Sequence, residues 1–562
     1  MDYLIRKFCP KTDFNSYEDL CQNFTIKVPE TFNFGYDVVD EWARVEPDKL
    51  ALLWTDDSAV MKSYTFPDVS RLSNQAANFF KAHGIRKGDV VMLILKQRPE
   101  VWFSIVGLCK LGAICIPATY QLTPKDISYR CNAANVKMIV SVSDAEIVGH
   151  IVKALPDCKE KPIIATLGPN QYPDQAFLDY GKELYAQSTD WTRPTGADAP
   201  QNDDCMLIYF SSGTTGMPKM VWHDFTFPLG HITTARYWQQ VQENTVHLTQ
   251  SDSGWAKFAW GKIYGQWICG AAIGAYDTEK FTPHGMLEAI LRLHPTTFCA
   301  PATIYRFLIK EDLSAYDLSF IKHAGVAGEP LNPEVYYKIK ELTGLALYEG
   351  FGQSETPVML ANFGFFPVRP GSMGKPNPIF DISLIDENGD SVEDGNVGSI
   401  AIRNVGTHGP VGLFRGYYKD EAATLRCWHD GTYNTGDMAW RDAEGYYWFV
   451  GRNDDVIKCS GYRIGPFEVE SALLEHPSVL ECAITAAPDP VRGQVVKATI
   501  VLARGFSPSD DLKKELQNHV KRVTAPYKYP RIVEFVEELP KTVSGKIQRN
   551  LIRKADEQKS DT

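Results

Sequence analysis

Residues 209–219 read YFSSGTTGMPK and close the apolar run 205–210. An apolar strand that ends in hydroxyl residues, two glycines and a lysine makes an anion cradle. Its backbone N–H groups and hydroxyls turn toward phosphate oxygens, and the lysine adds charge. Candidate contacts are the hydroxyls of Ser211, Ser212, Thr214 and Thr215 and the Lys219 ammonium. Gly213 and Gly216 give the turn its freedom, and Met217 and Pro218 complete the loop. The spacing is not that of the G-x-x-x-x-G-K-[ST] phosphate loop, since Lys219 is followed by Met220. Upstream, residues 66–83 and 99–111 carry helical spacing, and 89–95 and 136–142 are apolar strands. That alternation predicts parallel α/β units.

The chain has 562 residues, enough for about three or four compact units. Its 58 Lys and Arg against 69 Asp and Glu leave a net charge of −11, which argues against a general basic surface for nucleic acid. An anionic substrate would then be held by a few placed cations. The longest apolar runs, such as 90–95 and 268–276, fall short of the roughly 18–20 residues of a membrane span. The first 20 residues mix acids with bases and lack both a secretory apolar core and a transit composition. The 12 cysteines contain no C-x-x-C pair, so they read as reduced thiols of a cytoplasmic protein. A matrix location stays compatible if a presequence has been removed. The sequence is compatible with a homo-oligomer and specifies no oligomeric state.

Texture divides the chain further. The polar stretch 168–204 reads as a boundary, near 190–204, between two α/β subdomains of one large domain. Residues 367–452 are short runs punctuated by Gly, Pro, Asp and Asn, which predicts a small β-barrel or distorted sheet. Residues 453–562 read as a small α+β domain. The expected fold is therefore α/β: a large N-terminal domain, residues 1–452, and a C-terminal domain, residues 453–562.

More segments follow in order: VAGEPLNP at 326–333, YEGFGQSE at 348–355, YNTGDM at 433–438, GRNDDVIKCSGYRIGPFEVE at 451–470 and PKTVSGKIQR at 540–549. Rival motifs fail on single residues. Gly350-Phe351-Gly352 lacks the third glycine of a dinucleotide fingerprint, where Glu355 stands. Gly352-Gln353-Ser354 lacks the closing glycine of a nucleophile elbow, where Thr356 stands. Together with 209–219, the set resembles the adenylate-forming superfamily of acyl-CoA synthetases, peptide-synthetase adenylation domains and luciferases. EGFGQSE and the C-terminal APYKYPRIVEFVEELPKTVSGKIQR are most similar to medium-chain acyl-CoA synthetases.

The resemblance implies an AMP-forming ligase that takes ATP, Mg2+ and CoA. A carboxylate attacks the α-phosphorus of ATP, and the CoA thiol then displaces AMP from the acyl-adenylate. Catalysis of the first half is charge neutralisation and positioning. On this sequence the resemblance assigns the β/γ-phosphates to Ser211–Lys219 and the magnesium to Glu355. It lines the adenine and α-phosphate with Gly328, Glu329, Pro330, Glu349, Gly350, Phe351, Gly352, Gln353 and Ser354. Asp437 would accept the ribose hydroxyls and Arg452 would hold the same sugar or its phosphate. Lys546 would bridge the carboxylate and the α-phosphate, so that Lys546, Glu355 and Lys219 carry catalysis. Asp454 matches the hinge on which the mobile small domain turns. Ser460, Gly461, Tyr462 and Arg463 would then meet CoA, with Arg492 and Tyr529 as further contacts.

For the acid, Gly352 stands where acetyl-CoA synthetases place a tryptophan, so the wall just past the methyl group is expected to be absent. Trp238 and Trp260 would cap a short pocket, and Trp255 resembles a gate at the thiol channel. Lys257 departs from the apolar lining expected there and points either outward or at a polar group on the acid. The expected substrates are medium-chain, short branched or aryl acids. Alternatives are a carrier-protein acceptor and a non-catalytic nucleotide-binding regulator on the same fold.

Overall fold

The structure, a computed structural model, describes residues 2–560 other than 170, 171, 173, 212–216, 407, 408, 460, 461, 490, 491 and 542–546. Local chemistry sets the first elements. Thr65 and Asp68 form a capping box in front of the helix Phe66–Ala82, whose buried face carries Val69, Leu72, Phe79 and Phe80. That helix packs beside Glu100–Leu111, which ends at Gly112 in the left-handed region, φ 80°. Behind them Val90–Ile94 runs parallel to Ile114–Pro117 and to Val136–Val142. All five residues of Val90–Ile94 are buried, as expected of a parallel strand covered on both faces.

A second sheet is built from Leu50–Asp56, Ala272–Asp277, Val246–Thr249, Thr297–Ala300, His323–Ala327 and Leu347–Phe351, all parallel. Through Leu360–Ala361 it continues into antiparallel strands that include Ser372–Pro376, Thr432–Arg441 and Tyr447–Arg452. The β-rich segment expected at 367–452 is thus hydrogen-bonded to the second sheet. A third sheet of five strands forms the separate small domain, with Gly493–Leu502 at its centre. Among the described residues no helix is long and apolar enough to cross a membrane.

The subdomain boundary differs from the expected 190–204. Cys205–Phe210 and Met220–Asp224 stay with the first sheet, and the second sheet resumes only at Val246. Leu50–Asp56, early in the chain, already belongs to the second sheet. The polar stretch is no linker: its helix Tyr180–Ala186 buries Tyr180 against Phe79, ring centroids 4.9 Å apart. Asn74, Gln75 and Asn78 donate to carbonyls of residues 185–190. Pro- and Asp-rich composition reported solvent exposure there, not a change of sheet.

Candidate active site

Ligands of open α/β sheets sit beyond the carboxyl ends of the parallel strands. Here Cys205–Phe210 ends at Ser211, His323–Ala327 at Gly328, and Leu347–Phe351 at Gly352. Ser211 N donates to the carbonyl of Lys219 at 2.9 Å, which joins the two ends of the segment expected as a phosphate loop. Tyr129 from the helix Pro124–Ala134 donates to Pro218 O at 2.9 Å. Gly328 takes φ 95°, where a side chain would be strained. Glu329 directs its carboxylate to Thr303, accepting from N at 3.0 Å and Oγ1 at 2.6 Å, which leaves only the backbone of this segment facing the strand end.

Two linked clusters follow. Tyr417 Oη donates to Glu355 Oε1 at 3.0 Å, and Lys219 Nζ lies 4.5 Å from the Tyr417 ring centre. Gly416–Tyr417 pairs with Val221 and Trp222, on the strand leaving the phosphate loop, which brings Tyr417 to this point. In the second cluster Tyr433 Oη donates to Gln353 Oε1 at 2.7 Å, and Gln353 Nε2 donates to Asp437 and to Thr435 O. Asp437 pairs directly with Arg452 across the antiparallel strands, and Arg452 Nη1 lies 3.7 Å from its carboxylate. Burial would lower the Arg452 pKa, but Asp437, Asp454 and Glu355 outweigh it and the net shift is upward. The guanidinium is therefore firmly charged. Phe414 packs edge-on against both Tyr417 and Tyr433, 5.3 and 5.1 Å between ring centres.

Glu355 has the chemistry of a magnesium ligand: a nearly buried carboxylate whose Oε1 is fixed by Tyr417, beside the lysine of the phosphate loop. Among the described residues no three His, Cys, Asp or Glu side chains cluster as a cation cage. A single carboxylate completed by phosphate oxygens suits Mg2+ arriving on a nucleotide.

Glu349 is buried, accepts only Leu331 N at 3.3 Å, and has no partner for Oε2 among the described residues. Burial pushes its carboxyl up to about 8 from 4.5, against the smaller pull of the Leu331 N–H. Folding therefore favours the protonated form. The stability this contributes is fully present below the unfolded value and is lost as pH rises through the folded one. Glu349→Gln is expected to remove that slope. Urea unfolding should find the variant gaining on the wild type by roughly a few kcal/mol between about pH 5 and pH 9. A pH-independent difference between the two proteins would contradict the protonated assignment.

Residues expected at the acyl pocket lie close together around Gly352. A Cβ on Gly352 would lie 2.5 Å from Trp260 Cη2 and 2.7 Å from Pro357 O. The space beside Gly352 is thus filled by Trp260, from the helix Ala256–Gly261. Trp260 Nε1 donates to Thr356 O at 3.1 Å, and its ring stands edge-on to Trp238, 6.0 Å between centres. Trp238 donates to Tyr348 O at 3.0 Å and fills the side of Gly350, where a Cβ would be 2.5 Å away. Lys257 points inward. Its Nζ donates to Ala327 O at 2.7 Å, and loss of hydration lowers its pKa while Cys299 and Glu329 oppose the shift. Trp255 precedes the same helix and is half-buried.

In the small domain the strands Ile457–Cys459 and Tyr462–Ile464 form a hairpin, and Cys459 pairs with Gly493 next to exposed Arg492. Tyr529 lies between two cations, with Lys521 Nζ 4.1 Å and the Arg531 guanidinium 4.9 Å from its ring. Asp454 is exposed, its carboxylate 3.8 Å from Arg452 Nε. Ser212, Gly213, Thr214, Thr215, Gly216, Ser460, Gly461 and Lys546 lie outside the described residues, as do the side chains of Tyr462 and Arg463. Sequence reasoning missed Tyr417, Phe414, Cys299 and Thr303, and quoted Tyr433 without giving it a role.

The family described as AMP-binding enzyme matches residues 39–418, and the AMP-binding enzyme C-terminal domain matches residues 468–546. The chain is 42% identical over 554 residues to the mitochondrial acyl-coenzyme A synthetase ACSM3 of Mus musculus, covering 97% of this chain and 94% of that protein. It is 41% identical over 537 residues to the mitochondrial acyl-coenzyme A synthetase ACSM4 of Homo sapiens, covering 94% and 91%. Two solved structures share the fold. The anthranilate CoA ligase AuaEII in complex with anthranoyl-AMP superposes with a TM-score of 0.85 at 28% identity, over 95% of this chain and 99% of that one. The acyl-CoA synthetase of Brucella canis gives 0.74 at 31%, over 97% and 100%.

Proposed function

Because the chain belongs to the AMP-binding enzyme family and is an ATP-dependent ligase of the acyl-CoA synthetase type, we propose that it converts a short branched or aryl carboxylic acid, ATP and CoA to acyl-CoA, AMP and pyrophosphate. The observation that carries this reading is the paired cluster: Lys219 and Glu355 meet over Tyr417, while Gln353 joins Tyr433 to Asp437 beside Arg452. A phosphate cation, a hard oxygen ligand and a ribose acceptor then face one nucleotide.

In the first half the acid's carboxylate oxygen forms a bond to the α-phosphorus and pyrophosphate leaves. Lys219 and the loop that begins at Ser211 hold the β/γ-phosphates. Mg2+ bound through Glu355 would neutralise phosphate charge. Asp437, acceptor-only when ionised, takes ribose hydroxyls, and Gln353 keeps it oriented. Lys546 stabilises charge on the carboxylate and the α-phosphate. In the second half the CoA sulfur bonds to the acyl carbon and AMP leaves with the electron pair of the broken C–O bond. The paired strands Ile457–Cys459 and Tyr462–Ile464, with Arg492 and Tyr529, are the CoA side of the small domain. Rotation at Asp454 exchanges the two faces.

Trp260 closing on Gly352 and Trp238 on Gly350 support a short pocket, which favours 2-methylbutyrate or benzoate over octanoate. The mitochondrial relatives support an ATP- and CoA-containing aqueous compartment, including an organellar matrix. The test is pyrophosphate release and acyl-CoA formation with acetate, propionate, butyrate, 2-methylbutyrate, octanoate and benzoate, with and without CoA. CoA-dependent turnover led by a branched or aryl acid is the expected result. Pyrophosphate without acyl-CoA would move the acceptor to a carrier protein, and ATP binding without acid-dependent pyrophosphate would leave a regulator. Turnover led by acetate or octanoate would overturn the pocket assignment.

A further inference from the structure

The chain is pinned on both sides of Asp454. On the large-domain side Asn453 N donates to Gly436 O at 2.9 Å, and Arg452 sits against Asp437. On the other side Asp455 is nearly buried, and its carboxylate meets two arginines of the last helix, Arg549–Ser560. Arg553 Nη1 donates to Oδ1 at 2.5 Å, and Arg549 Nη1 lies 3.7 Å from Oδ2. These positions are four apart, on one helix face. Arg549 is itself anchored: its Nη2 reaches Glu470 at 2.7 and 2.8 Å, and Glu470 Oε1 also accepts Ile484 N at 2.8 Å. Only Asp454 is left between these anchors, crossed by the turn bonds from Asp455 N and Val456 N to Arg452 O at 3.0 and 3.1 Å.

The same helix continues the chain that carries Lys546. Lys541 and Ile547 pair as an antiparallel bridge, and Gln548 N donates to Pro540 O at 2.8 Å, immediately before Arg549. We propose that Arg549 and Arg553 are positioning residues for adenylation: they strap Asp455, at the pivot, to the segment bearing Lys546, so that rotation at Asp454 delivers the lysine as part of one rigid body. The inference rests on the proposed adenylation role of Lys546. It predicts an asymmetry. The CoA-side strands follow the pivot directly in the chain, whereas Lys546 comes roughly ninety residues later, on a stretch whose flanks also tie to the sheet through Lys541–Glu481 and through Leu539 and Ile552 against Ala483. Of these ties only the strap ends on the pivot residue itself, so breaking it loosens the approach of Lys546 and leaves the CoA-side strands in place.

The experiment compares the full-length wild type with Arg553→Met, Asp455→Asn, the double variant, Arg553→Lys and Lys546→Ala. Three readouts are taken: acid-dependent ATP–pyrophosphate exchange, CoA consumption from supplied acyl-adenylate, and ATP affinity by calorimetry. Arg553→Met and Asp455→Asn should each lower exchange at least tenfold and keep CoA consumption within about threefold and ATP affinity within about twofold. The double variant should be no worse than the weaker single, and Arg553→Lys should recover most of the exchange. Should Arg553→Met fail to fold, Asp455→Asn decides, since it keeps the Arg549–Glu470 anchor. Equal losses in both halves would overturn the strap, as would unchanged exchange in the strap variants while Lys546→Ala loses it. Unchanged exchange in Lys546→Ala as well would instead overturn the reading on which the strap rests.

Discussion

Replacing Lys546 with alanine is expected to lower acid-dependent pyrophosphate exchange roughly a hundredfold or more, with CoA attack on supplied acyl-adenylate kept within about threefold. The first half-reaction drives a carboxylate into a triphosphate, so the barrier is dominated by repulsion between like charges. A unit charge pair at about 4 Å is worth roughly 4 kcal/mol at an effective dielectric near 20. Removing one stabiliser aimed at developing charge commonly costs a hundredfold to a thousandfold. Lys219 cannot replace it, since its Nζ is held over Tyr417 beside Glu355, on the side assigned to the outer phosphates. ATP affinity should barely change, because Asp437, Arg452 and Gln353 all belong to the large domain. The second half needs no cation at the α-phosphate. Rapid-quench measurement of each half separates the roles, and a loss shared equally would put Lys546 in binding or folding.

What could be read in the sequence was what short runs encode. The strand Cys205–Phe210 and the helix Phe66–Ala82 depend on neighbours within a few positions, and each lies where its pattern places it. Partners brought together by sheet pairing were invisible. Tyr417 reaches Glu355 only because Gly416–Tyr417 pairs with Val221 and Trp222, some two hundred residues earlier in the chain. Tyr433 lay inside a quoted motif, yet its partner Gln353 belongs to another strand end. The boundary placed near 190–204 failed for a different reason. Pro and Asp mark exposed chain, and an exposed chain can still pack a tyrosine under a neighbouring helix, as Tyr180 does. Gly352 lies between these cases. Trp260 was named from the sequence as a cap, whereas its direct contact with Gly352, from a separate helix, could not be read there.

That contact leads to the second large effect. Trp260→Ala should reverse the preference between octanoate and 2-methylbutyrate, shifting the ratio of their kcat/KM values by roughly a thousandfold. Each methylene transferred from water into an apolar site is worth roughly 0.8 kcal/mol, so three or four that are newly admitted supply about 3 kcal/mol. The branched acid loses the wall it packs against, and one buried group of this size typically costs a factor of 10 or more. The opened space should keep its shape beyond the deleted ring. Trp238 remains tied to Tyr348 O, and Gly350 lies flat against it, so the pocket deepens by one indole and no further. The cavity left by an unfilled tryptophan costs roughly 3–5 kcal/mol of stability, which calls for assays well below the lowered melting temperature. A long acid should restore part of that loss on binding, since it occupies the cavity. Thermal melting with and without octanoate therefore reads the same event independently of turnover. If octanoate neither gains in kcat/KM nor stabilises Trp260→Ala, the indole lies outside the acyl path, and chain length is limited by another part of the wall.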